Sequence, residues 1–198
     1  NDPNQAWGIR FNPTASGGRL QRIEVRGGYY YGVKIDSEWS DVPSERIAAT
    51  GIVIEDCRIL STGADCIKIT PGCDGVVIRR NEIGHSGQRP VRPDDRNAEG
   101  IDNVNGDQMV VQYNYIHDTL TTGVYAKGGS IGTVVEGNLI QRTGGAGVLF
   151  GFRDTDEEWF DTTVNPEYFE NIDGTIRNNI IVDAQYAGIG LYGAKNAT

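Results

Sequence analysis

Positive charge is in short supply in this chain: 18 Lys and Arg stand against 27 Asp and Glu, a formal net charge of −9. Nucleic acid is therefore not the expected partner, because a phosphate backbone calls for a basic footprint. Any grip on a polyanion has to come from locally concentrated cations or from bridging metal ions. Aromatics are sparse at 9% and only two histidines occur, His85 and His117, so a histidine-based mechanism has few candidates. Both histidines follow the Asn positions described below and are expected at turns. No apolar run approaches the roughly 18 residues of a membrane span. Three cysteines, Cys57, Cys66 and Cys73, cannot all pair within one chain. They read as small buried thiols and leave the redox compartment undecided. The chain opens on Asn1 rather than Met, as a processed or excised segment would.

Glycine is what the chain has in abundance, 27 residues of it, and its placement is periodic. Gly followed by a β-branched residue recurs at Gly8, Gly32, Gly100, Gly123, Gly147 and Gly188, with Cys66-Ile67 once in the same place. A second pattern, apolar-x-x-Asn-x-apolar, recurs around Asn81, Asn114, Asn138 and Asn179, and Cys57 takes the Asn place once. From Asn to the next Gly is nine residues in four coils, and from Gly back to Asn is 14 or 15. The repeat is thus a coil of about 24 residues, too small to bury an apolar face alone but able to stack on its neighbours at ~4.8 Å. The predicted fold is a right-handed parallel β-helix of about seven coils, a single domain over residues 1–198, with further coils expected beyond one or both ends. A leucine-rich repeat needs a signature that is absent, and a propeller blade needs a longer period. Stacked Asn side chains are expected to form an internal amide ladder. Gly at the other corner is expected to supply a backbone angle closed to other residues.

Departures from the period locate the functional side. Extra residues fall at 36–50, 85–98 and 152–171, and all three insertions flank the stack of Gly strands. Long loops rimming one face of a rigid scaffold build a groove. Counting from Gly as zero, places one and three hold residues such as Val33 and Ile35 and point inward, so places two and four point outward. Place two reads Arg10, Lys34, Lys68, Asp102, Tyr125, Leu149, Gly190; place four reads Asn12, Asp36, Thr70, Val104, Lys127, Gly151, Tyr192. Like charges in successive coils repel unless something negative lies on them. The basic stripe is therefore either a row of subsites for acidic sugars or a solvated stripe partly neutralised by loop carboxylates. Arg89, Arg92, Arg96 and Arg153 on the loops add positive charge. Trp39, Trp159, Phe160, Tyr168 and Phe169 are expected either to stack on sugar rings or to pin their loops.

Beside the stripe, Asp65 and Glu99 each immediately precede a Gly place, Asp102 faces out next to them, and Asp94 and Asp95 arrive on an inserted loop. Carboxylates this close do not all ionise cheaply without a cation, so the cluster invites calcium; the bland alternative is an acidic patch paired with Arg96 and Lys68. The string Ala98-Glu99-Gly100-Ile101-Asp102 is similar to the calcium motif of the family nine pectate lyases, with Ala98 in place of an acid. Lys127-Gly128-Gly129 resembles that family's stretch holding a lysine base, although Lys127 stands at place four. More loosely, the chain resembles β-helical galacturonases and mannuronan epimerases. The resemblance implies Asp65, Glu99 and Asp102 as calcium ligands and Lys127 as base. By its place on the inserted loop Asp95 is a further candidate ligand, and the outward Arg10, Lys34, Lys68 and Tyr125 with Arg153 and Trp159 on the loops are candidate contacts to an acidic polysaccharide. The resemblance also implies a secreted or cell-surface protein. Two classes of function stay open: a calcium-assisted lyase or epimerase, and a non-catalytic glycan-binding, adhesin or spacer module.

Overall fold

A computed structural model describes residues 7–40, 42, 45–89, 97–152 and 155–198. Three parallel sheets run along the chain, with seven, six and six strands; each of the first six coils contributes one strand to each sheet in turn, and the seventh adds a strand to the first. The seven-stranded sheet comprises Ile9–Phe11, Val33–Ile35, Ile67–Ile69, Ile101–Val104, Val124–Lys127, Val148–Phe150 and Ile189–Leu191. These are the strands that follow the seven Gly places, so the repeat read from the sequence is the repeat of the coil. No helix among the described residues is long and apolar enough to cross a membrane.

The core is built from the inward places. Val33, Ile35, Ile67, Ile69, Ile101, Val124, Ala126, Val148 and Phe150 have no exposed surface. Burying each large side chain contributes about 1.5–3 kcal/mol, which offsets the ordering of a backbone with many turns. All three cysteines are free and buried, as small apolar residues.

The Asn ladder forms as the spacing requires. Asn81 Nδ2 donates to Asn114 Oδ1 at 3.0 Å, Asn114 to Asn138 at 3.0 Å and Asn138 to Asn179 at 2.9 Å. Each acceptor oxygen also takes the backbone N–H of the preceding rung, and Cys57 ends the ladder by donating its N–H to Asn81 Oδ1 at 2.8 Å. A left-handed backbone occurs one residue ahead of each rung, at Arg80 (φ 56), Tyr113 (φ 56), Gly137 (φ 65) and Asn178 (φ 56).

That placement corrects one expectation. The glycines of the Gly places do not have positive φ; all but Gly188 are required by packing. A Cβ on Gly123 would lie 2.6 Å from the Gly147 carbonyl oxygen and 2.8 Å from Ile140 Cγ2. At Gly100 the same atom would lie 2.6 Å from the Gly123 carbonyl oxygen. The glycine lets one coil descend onto the next. The histidines also depart from expectation. His85 sits at a turn with φ 54, whereas His117 lies within the strand Tyr115–Thr119 and is buried.

Two insertions meet over the seven-stranded sheet. Residues Ser37–Glu38 and Ile47–Ala48 pair as a short antiparallel hairpin, and Glu157–Trp159 forms a single 3-10 turn. Trp39 Nε1 donates to the Glu158 carbonyl at 2.8 Å, Arg46 pairs with Asp161, and the Arg46 guanidinium lies 3.8 Å from the Trp39 ring centroid. Trp39 therefore ties the two loops together.

Candidate functional site

Register across the seven-stranded sheet places the outward residues in one column. Arg10 pairs with Lys34, Lys34 with Lys68, Lys68 with Asp102, Asp102 with Tyr125 and Tyr125 with Leu149. The column is not an open stripe: Asp102 has no exposed surface, and Tyr125 and Leu149 are each 5% exposed. Its cations are also committed. Arg10 and Lys34 both reach Asp36, at 2.5 and 3.0 Å, and stack against Trp7, while Lys68 Nζ pairs with Asp102 Oδ2. Neutralisation comes from Asp36, the residue after the strand Val33–Ile35 where the first insertion begins, and from Asp102 on the sheet.

A second column stands one residue before each Gly place. Hydrogen bonds from Gly8 to Tyr31, Gly32 to Asp65, Cys66 to Glu99 and Gly100 to Thr122 keep it in register. It brings Asp65 and Glu99 against Asp102: one carboxylate oxygen from each of the three lies within 4.8 Å of the others. Asp65 Oδ1 accepts from the Glu99 N–H and Glu99 Oε2 from the Ala98 N–H, both at 2.9 Å. Asp65 Oδ2 and Asp102 Oδ1 are buried and have no hydrogen-bond partner among the described residues. Burial, then the charges of Glu99 and Asp102, drive the Asp65 carboxyl well above its ordinary range. Burial, then Asp102, also raises Glu99. Asp102 goes the other way: burial pushes its carboxyl up, but Lys68 and Lys127 outweigh that and hold it down. Lys68 is the converse case, disfavoured as a cation by burial yet held above the usual lysine value by Asp102 and Asp65.

Tyr31 was missed in reading the sequence. Burial pushes its phenol up to about 12, with Lys68, Asp65 and Asp102 close enough to act on it. The available signal was position, since Tyr31 stands before Gly32 as Asp65 stands before Cys66 and Glu99 before Gly100.

Over this floor opens a pocket of about 270 Å3 lined by Lys68, Thr70, Asn97, Lys127, Asp156 and Trp159, among others. Three of the residues singled out from sequence, Lys68, Lys127 and Trp159, thus share one cavity. Lys127 differs from the other cations of the sheet. Its Nζ lies 4.4 Å from the Tyr125 ring centroid and makes no hydrogen bond or ion pair with any described residue. Among the loop aromatics, Trp159 faces the pocket, whereas Phe160 is buried against Tyr168 and fixes its loop. Arg89 stacks over Tyr30 at 3.7 Å. Asp94, Asp95, Arg92, Arg96 and Arg153 lie outside the described residues.

Comparison with solved structures returns the same architecture. The enzymatically active domain of tailspike protein 2 from bacteriophage CBA120 superposes with a TM-score of 0.61 at 13% identity, covering 93% of this chain and 25% of that one. The Dettilon tailspike protein gives 0.54 at 13% identity, over 87% of this chain and 36% of that one. A double mutant of the periplasmic alginate epimerase AlgG gives 0.51 at 15% identity, over 97% and 48%. The chain therefore spans between a quarter and a half of the length of these structures. No curated protein sequence matches it. The family model described as "Right handed beta helix region" matches residues 7–198, the whole stack of coils, and the chain belongs to that family.

Proposed function

We propose that the pocket over the seven-stranded sheet acts on an acidic polysaccharide by removing the proton beside a uronate carboxylate, with Lys127 as the base. The observation that carries this reading is the uncommitted Lys127 amine inside a cavity whose other cation, Lys68, is already paired. The solved structures of similar fold, which include an alginate epimerase and phage tailspikes, support a glycan substrate met outside the cytoplasm.

Each group has a task that its position supports. Trp159 offers an aromatic face for a sugar ring, and Asn97 and Thr70 offer hydrogen bonds to hydroxyls. Lys127 Nζ takes the proton, for which it must enter the reaction as the neutral amine. Negative charge then grows on the uronate carboxylate, where a fixed cation lowers the barrier most. Lys68, kept charged by Asp102 and Asp65, is that cation among the chain's own residues. Loss of the neighbouring glycosidic oxygen gives elimination; return of a proton to the opposite face gives epimerisation.

A calcium ion fits the acidic cluster. Its donors are three buried carboxylates, two with an oxygen lacking any other described partner. Asp65, Glu99 and Asp102 would hold it, and bound calcium would supply Lewis-acid stabilisation of the uronate charge. A divalent ion also removes the penalty that burial and mutual repulsion place on the Asp65 and Glu99 carboxylates.

A second reading is glycoside hydrolysis, in which two carboxyls of the cluster, with oxygens within 4.8 Å of one another, would serve as general acid and partner. One assay separates the readings: pectate, alginate and glycosaminoglycans incubated with and without calcium. Near-ultraviolet absorbance from an unsaturated uronate is the expected result, or an altered uronate epimer ratio by NMR. New reducing ends without that chromophore establish hydrolysis instead. Binding without any product assigns the chain to the non-catalytic class and overturns the proposal.

A further inference from the structure

The third sheet, formed by Glu24–Arg26, Arg58–Leu60, Glu82–Gly84, Tyr115–Thr119, Leu139–Thr143 and Ile180–Ala184, carries a group of side chains with no part in the pocket chemistry. His117 is 5% exposed and its ring is stacked on Tyr115, centroids 4.2 Å apart. Its Nδ1 lies 2.6 Å from Asp118 Oδ2. Arg142 grips that carboxylate at both oxygens, Nε to Oδ1 and Nη2 to Oδ2, each at 2.7 Å. That two-point grip by a guanidinium leaves the Asp118 carboxylate an acceptor toward the His117 ring. With Nδ1 turned to this carboxylate, Nε2 is the ring nitrogen left for a ligand.

Nε2 is where the structure leaves something undone. It is buried and has no hydrogen-bond partner among the described residues; the nearest charge, Glu82 Oε1, is 3.5 Å away and already held by Arg58. Below it lies Gly84, where an added Cβ would come within 2.9 Å of Nε2. Any other residue would collide with the His117 ring and displace it. The next residue, His85, adopts φ 54 and sets its exposed ring edge-on to His117, centroids 5.1 Å apart. One ligand atom from each of His85, His117 and Asp118 lies within 4.8 Å of the other two. Beside them is a cavity of about 430 Å3 that shares no lining residue with the Lys127 pocket.

We propose that His85 and His117 bind a divalent transition-metal ion of the zinc class, with Asp118 as the positioning carboxylate that orients His117. A buried imidazole whose second nitrogen is fixed by an ionised carboxylate is the usual arrangement of a metal-ligating histidine. Two imidazole nitrogens select zinc, nickel or copper over calcium, which prefers oxygen. Zinc–nitrogen bonds are about 2.0–2.1 Å long, and the exposed ring of His85 is the partner free to adjust to them. Water from the adjoining cavity completes the coordination.

The test is calorimetric titration of Zn2+ into chelator-treated protein, with and without excess calcium. Binding near one ion per chain, undiminished by calcium, is expected. His85→Ala changes an exposed residue, so the fold is kept, and it should weaken zinc binding tenfold or more; Asp118→Asn should weaken it about 10–100-fold. His117→Ala removes a buried ring and is read only alongside a melting curve. Absence of zinc binding overturns the site, as does binding indifferent to His85→Ala. Displacement of zinc by calcium would place the ion in the acidic cluster and equally overturn it.

Discussion

On the second and third sheets, outward carboxylates are met by arginines from neighbouring coils. Glu55 receives Arg79 at 2.8 Å, Arg80 at 2.9 Å and also Arg19; Arg58 bridges Glu82 at 2.7 Å and Glu24 at 2.8 Å; Arg177 reaches Glu136 at 3.0 Å. Those guanidiniums are about half exposed. On the seven-stranded sheet the same backbone geometry carries charges that are not paired one to one: three buried carboxylates around Lys68, two orphaned oxygens, and the Lys127 amine, which lies over the Tyr125 ring without a hydrogen bond or ion pair to any described residue. Ion pairs whose guanidinium stays in water cost little to form and contribute little, and even Glu55, itself buried, is met by three such arginines. Buried imbalance is costly, so it persists where a ligand relieves it or where chemistry uses it. The contrast separates the charges that line the coil's surface from those that make a site.

The sharpest way to break that contrast is Lys127→Ala. It should lower kcat about 10²–10⁴-fold, the usual contribution of a general base, with substrate affinity little changed because Lys68 and Trp159 still line the pocket. Equal small losses in kcat and affinity would reduce Lys127 to one more member of the cationic column. Next in size is Asp102→Asn, which strips Lys68 of its buried partner and should cost about 3–5 kcal/mol. Any rise in melting temperature on adding calcium should disappear with it, and a variant that still responds to calcium would move the ion elsewhere.

Asn138→Ala tests the scaffold rather than the site. It leaves buried partners of the ladder unpaired and should cost about 1–3 kcal/mol, measured by denaturant unfolding. A variant that melts like the parent yet loses ligand binding would make the ladder part of the site. A smaller effect is expected at the corner after the Gly strand. Burial, then Asp74 and Asp161, raise the Asp107 carboxyl to about 6. The folded chain therefore holds this proton where the unfolded chain has lost it, and stability falls as pH rises from about 4 through 6. Asp107→Asn keeps an acceptor for the Ile131 N–H and should flatten about 1–2 kcal/mol of that slope. Smallest of all, Arg177→Ala should leave both melting and turnover near the parent, because Glu136 keeps Gln112 at 3.1 Å and is open to water. A large loss there would erase the distinction between the faces.

What reading residues in order determined was everything that repeats. Seven Gly places, the Asn rungs, the inward and outward places and the three insertions follow from a period of about 24, because stacking forces like positions to coincide. That register put Asp65, Glu99 and Asp102 together and Lys127 on the same face. Tyr31 belonged to the same column and was overlooked because it is not acidic. Tertiary structure alone decided the rest. Whether a cation is free or spent depends on distances set by side-chain rotamers and loop closure: Asp36 takes both Arg10 and Lys34, and Trp39 clasps a loop instead of facing solvent. The glycines, Gly188 apart, prove necessary for coil-to-coil contact and not for φ, which only the neighbouring coil's carbonyl and isoleucine reveal. His117 is buried because Gly84, one coil away, leaves room for its ring. Periodicity states which residues are neighbours; only packing states how close they come and what water still reaches, and on those two quantities the charges of this protein depend.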